Sequence, residues 1–181
     1  MNLTIWNNTL RYLQFVGYAI LVVALPFSNF LMSFGMFWLL GVLVCSLVTD
    51  SLTRRPLRKR AERLMKSSNA LALIALFLLP CIGLLWTTDF NYAAWDLRMK
   101  LPILALPLLF VLLDPLTQGQ FRALIGLFIL AVLIAVLWCL KVFWLHEVPW
   151  EEDVRSISVF ISHVRFSLLI ALALGLLVRF A

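Results

Sequence analysis

From Ala123 to Leu140 the chain presents no charged residue and no amide or hydroxyl side chain. A helix needs roughly 20 such residues, at about 1.5 Å each, to cross the hydrocarbon of a bilayer. In water, a helix that is apolar all round must be enclosed by other protein. One such run could be buried in a domain of ordinary size, but this chain holds several. Hydrophobic residues make up 64% of its 181 positions, and the mean hydropathy is +1.01. An ordinary soluble domain is nearer half apolar. The fold class that follows is all-α and integral to a membrane, with lipid as part of the solvent.

Six spans are expected within one transmembrane domain covering residues 1–181. They are Trp6–Leu25, Phe30–Val48, Asn69–Trp86, Leu101–Leu113, Phe121–Leu145 and Ile157–Phe180. The first two form a hairpin broken by "LPFSNF", Leu25 to Phe30. The fourth is short and carries Pro102 and Pro107. The N-terminal run lacks a small-x-small cleavage site and leads straight into a second apolar run, so it reads as a retained helix. Between the second and third spans lies a basic loop, residues 50–66. Seven of the 15 Lys and Arg fall within Arg54 to Lys66. Short loops rich in Lys and Arg stay in the cytoplasm. The N-terminus is then cytoplasmic, and the "LPFSNF" turn faces the other side. The loop His146–Ser156, with Glu147, Glu151, Glu152 and Asp153, falls on that outer side.

Residues 88–100 read as a short amphipathic helix on the outer surface. Phe90, Ala93, Ala94, Leu97 and Leu101 recur at helical spacing, and Thr88 or Asp89 can cap the first turn. Tyr92 and Trp95 suit a membrane interface.

The net charge of +6 is concentrated beside spans, which points to orientation and contact with membrane lipids and not to nucleic acid. Cys45, Cys81 and Cys139 are isolated in apolar runs and read as small buried residues. No zinc spacing, nucleotide loop or nucleophile elbow occurs, so neither metal nor other cofactor is expected.

Chemistry concentrates at "SHVRFSLL", Ser162 to Leu169. From a helix start near Ile157, Arg165 stands about 12 Å along the axis. Arginine at the centre of a span costs about 2.5–3.5 kcal/mol. Ser158, Ser162 and Arg165 line one helical face, and His163 shares another with Ser156 and Ser167. Two readings stand. Arg165 snorkels to outer headgroups while His163 packs as a neutral residue, or Arg165 faces a cavity and binds an anion with its fixed fork of donors. Arg98 and Lys100 put two more cations near the outer mouth of the fourth span. Asp96 and Lys100 form an i, i+4 pair in the favourable order. The basic loop is accounted for by topology alone.

Taken together, "IGLLWTTDFNYAAWDLRMKLPILALPLLF", Ile82 to Phe110, and "ISHVRFSLLIALAL", Ile161 to Leu174, resemble the O-antigen ligase/polymerase family of bacterial inner-membrane proteins. The shared features are the acid-x-Arg-x-Lys-Leu-Pro pattern at Asp96 to Pro102 and the Arg-bearing last span. The resemblance implies a glycosyltransferase that moves a glycan from an undecaprenyl-diphosphate carrier to lipid A-core or to another glycan, at the periplasmic face. It implies that Arg165 contacts the carrier diphosphate, with Arg98, Lys100 and His163 as further candidate contacts. It implies no metal and no nucleotide for the transfer.

The family's base is a histidine on a long periplasmic loop, which His163 does not match, so no catalytic residue is assigned. Members run to about twice this length. The chain is therefore expected to be an N-terminal half that has no turnover alone. The competing reading is a non-enzymatic polytopic protein, a transporter subunit or assembly partner.

Overall fold

The computed structural model describes residues 3–52, 58–145 and 162–180. They form seven α-helices: α1 (Leu3–Ala24), α2 (Asn29–Leu52), α3 (Arg58–Lys66), α4 (Ser68–Gly83), α5 (Phe90–Leu112), α6 (Gln118–Leu145) and α7 (His163–Phe180). A 3-10 turn, Leu84–Trp86, follows α4. Among the described residues there is no strand. Four helical stretches are long and apolar enough to cross a membrane: Asn29–Ser51, Ser68–Trp86, Gln118–Val142 and His163–Phe180.

The chain divides into two compact units. The first comprises Met1–Gln14 and Trp38–Pro115, and the second Phe15–Phe37 and Leu116–Ala181. In the first, α4 lies against α5, and α3 touches both. Its buried apolar residues include Leu39 and Leu43 on α2, Phe77 on α4, and Leu109 on α5. Two indoles hold α1 to α2 here: Trp6 Nε1 donates to Thr49 Oγ1 and Trp38 Nε1 donates to the Leu13 carbonyl, each at 3.0 Å.

In the second unit, α6 packs on α7 around Phe128, Val132 and Ala173, with Val22 of α1 against the same cluster. Ala131, Ala135 and Cys139 are buried on α6. Their spacing of four puts small side chains on one face, where backbones can approach closely. The Cys139 thiol is buried as expected, whereas Cys45 is exposed and Cys81 intermediate.

Helix starts follow local chemistry. Ser67 accepts from the Ala70 N–H at 3.4 Å, and Asp89 accepts from the Tyr92 N–H at 3.0 Å. Asp89, of the two expected candidates, is thus the cap of α5. At α6, the Thr117 hydroxyl accepts from the Gln120 N–H while the Gln120 side-chain Oε1 accepts from the Thr117 N–H. That is a reciprocal capping box. Ser28 caps α2 singly, its hydroxyl taking the Leu31 N–H at 3.4 Å. Lys141, the one charge near the end of the longest apolar run, lies over the Trp138 ring at 5.4 Å, an attraction that keeps its charge partnered.

Three expectations change. The surface helix at 88–100 and the span at 101–113 are one continuous helix, α5, running through Pro102 and Pro107. Proline removes a backbone donor and bends a helix, yet neighbouring packing sustains it. Pro107 and Leu109 are buried, and Lys100 Nζ donates to Asp96 Oδ2 at 2.6 Å across the turn before Pro102.

The expected first and fourth spans, which fall in α1 and α5, are not among those four stretches. Asn7, Asn8, Arg11 and Gln14 stand in α1, and Asp96, Arg98 and Lys100 in α5. The basic segment 50–66 is not a plain loop, because Arg58–Lys66 is helical. Residues 146–161, with the expected acidic loop and the start of the sixth span, lie outside the described residues.

Candidate functional site

α7 begins at His163, and the Ser162 carbonyl accepts the Phe166 N–H at 3.0 Å. Arg165 is therefore the third residue of this helix, in its first turn, and not about 12 Å within it. Beyond it, Leu168, Leu172 and Val178 are exposed apolar side chains, the surface that lipid suits. Arg165 is itself exposed, and its Nη1 donates to Asn29 Oδ1 at 3.5 Å. Asn29 is the first residue of α2, directly after the Leu25–Ser28 turn. The guanidinium thus meets a neutral amide, and among the described residues it has no carboxylate partner. A cation so placed keeps donors free for an anion. His163 is exposed in the same turn, and Ser167 turns back to the Val164 carbonyl at 2.9 Å.

Arg98 and Lys100 belong to the first unit. Lys100 is engaged with Asp96, with both side chains only partly exposed. Arg98 is exposed and has no carboxylate partner among the described residues. Of this pair, Arg98 alone has its charge uncommitted. Tyr92 and Trp95 sit with ring centroids 6.2 Å apart and are both exposed, as an interfacial aromatic pair would be.

The most closely built polar cluster was not legible as a site. Arg60, on α3, is 7% exposed. Its Nη2 lies 2.7 Å from Asp50 Oδ2 and donates to Ser46 Oγ at 2.6 Å, while Nη1 donates to the Leu112 carbonyl at 2.8 Å. Asp114 Oδ1 stands 4.0 Å away, and the Asp114 carbonyl accepts from Gln14 Nε2 at 2.6 Å. A cavity of about 60 Å³ adjoins these groups, with Asn7, Arg11 and Thr49 also on its wall. Water fits there and a carrier headgroup does not.

The cluster is a clamp. It ties α3 to α2 and to the end of α5, and it satisfies the carbonyl that the last turn of α5 would otherwise leave open. The available signal was the pair Ser46 and Asp50, four apart on α2, a spacing that puts a hydroxyl and a carboxylate on one face.

Among the described residues, no group of three His, Cys, Asp or Glu side chains is arranged to hold a metal ion. No protein family, curated protein or solved structure matches the chain. Among the described residues, the fold is all-helical, with four helices long and apolar enough to cross a membrane.

Proposed function

We propose that this chain is an integral protein of the bacterial inner membrane and the carrier-binding part of an O-antigen ligase-like glycosyltransferase. On this reading it has six spans, with α1 and α5 crossing in the company of the four more apolar helices. Its N-terminus is cytoplasmic. The substrate is a glycan on undecaprenyl diphosphate, and the acceptor is lipid A-core or another glycan at the periplasmic face.

One observation carries the reading. Arg165 opens an apolar helix with its guanidinium against an amide and no carboxylate. A carrier lipid keeps its tail in the bilayer and its diphosphate at the interface. An arginine in the first turn of a span stands at that depth and offers two parallel donors to phosphate oxygens. In the transfer, an acceptor hydroxyl oxygen bonds to the anomeric carbon as the bond from that carbon to the diphosphate breaks. Undecaprenyl diphosphate leaves with the electron pair, and the hydroxyl proton passes to a base outside the residues assigned here. Charge that grows on the leaving diphosphate is stabilised by a cation already in position.

The test is Arg165→Ala at the native locus, with lipopolysaccharide or polymerised glycan read on gels and protein level by immunoblot. Transfer is expected to fall about a hundredfold or more, the scale of losing one preorganised donor to developing charge, while the protein persists in the membrane. Undiminished transfer would favour a non-enzymatic membrane protein instead.

A further inference from the structure

Arg122 stands near the start of α6 and Arg179 near the end of α7. They meet at one end of the second unit and rim a groove of about 610 Å³. The rest of the groove is Ile125, Gly126, Ile129 and Phe180. Both arginines are exposed, and neither has a carboxylate partner among the described residues. A Cβ added at Gly126 would meet nothing within 4 Å, so the groove is open where that glycine lies.

Two uncommitted guanidiniums above an apolar channel match one kind of molecule, an anion carrying a hydrocarbon chain. The channel lies on two helices long and apolar enough to cross a membrane. A free phosphate would satisfy the arginines and leave the apolar wall unused. Basic pockets between spanning helices suit phospholipid headgroups for these reasons.

We infer that this groove holds an anionic glycerophospholipid. Its phosphate sits between Arg122 and Arg179, and an acyl chain follows Ile125, Gly126 and Ile129. The site is separate from Arg165. Arg179 comes 14 residues later on α7, about 21 Å along the axis, so the two arginines stand at opposite ends of that helix. This lipid is structural and is not the glycan carrier, and its binding is independent of any transferase activity.

The test is native mass spectrometry of the full chain in detergent, titrated with phosphatidylglycerol or phosphatidylcholine. The first is expected to bind several-fold more tightly. The double variant R122Q/R179Q is expected to lose about thirtyfold in affinity for it, from two cations at roughly 1 kcal/mol each. Gly126→Leu, which keeps both charges and fills the channel, is expected to weaken binding too, with helical content by circular dichroism unchanged. Three results would overturn the inference: equal affinity for the two lipids, an R122Q/R179Q variant that binds as the parent does, or full displacement of the lipid by inorganic phosphate at millimolar concentration.

Discussion

Arg60 and Arg165 carry the same guanidinium into opposite situations. Arg60 spends its donors on Asp50, Ser46 and the Leu112 carbonyl, so it has little left for a ligand. Removing one partner of a buried pair costs about 3–5 kcal/mol, because the other charge stays behind unpaired. Arg60→Met and Asp50→Leu are each expected to lower thermal stability in detergent strongly. The double variant should lose less than the sum of the two, as coupled partners do. Additive losses would mean that the pair contributes no coupling. In sequence, Arg60 was indistinguishable from its basic neighbours. What separates it is burial against three groups from α2 and α5, which a charge count does not register. Arg165 was legible because its surroundings are its own helix, where a cation amid Leu and Ile stands out.

The helices are set by local signals that mostly agree with the chain's apolar pattern. Ser28, Ser67, Asp89 and the Thr117–Gln120 pair mark four starts, and the apolar runs give the lengths. The failure at α5 has a physical cause. Proline and a change from polar to apolar character both suggest a boundary, but packing of Pro107 and Leu109 keeps one helix going through it. Close approach is the other thing that pattern does not reveal. At Gly35, buried on α2, an added Cβ would stand 3.0 Å from Leu21 Cγ and 3.3 Å from Ile20 Cγ2 on α1. Gly35→Leu is therefore expected to cost about 1–3 kcal/mol by overpacking. Gly41→Ala, on the same helix with nothing within 4 Å, should be neutral or stabilising by up to about 1 kcal/mol. Equal effects in thermal unfolding would contradict the close contact at Gly35.

For the molecule as a whole, composition was enough to give the all-helical class, since so apolar a chain cannot be enclosed from water at this length. It was not enough for the number of spans, because α1 and α5 mix polar and apolar turns. On the proposed reading, orientation is set by the basic segment, and reporter fusions check it. A fusion within Arg58–Lys66 is expected to be active in the cytoplasm and one at Glu151 in the periplasm. The reverse would put Arg165 on the wrong face for a carrier glycan. The central claim, that Arg165 holds a diphosphate at the membrane interface, is met most directly by lipid binding to the purified chain. Undecaprenyl diphosphate should bind the parent protein at least about tenfold more tightly than undecaprenol, which has the same tail and no phosphate. Arg165→Gln should abolish that difference, one charge-assisted contact being worth roughly 1.5–3 kcal/mol. A difference that survives in Arg165→Gln would contradict the claim.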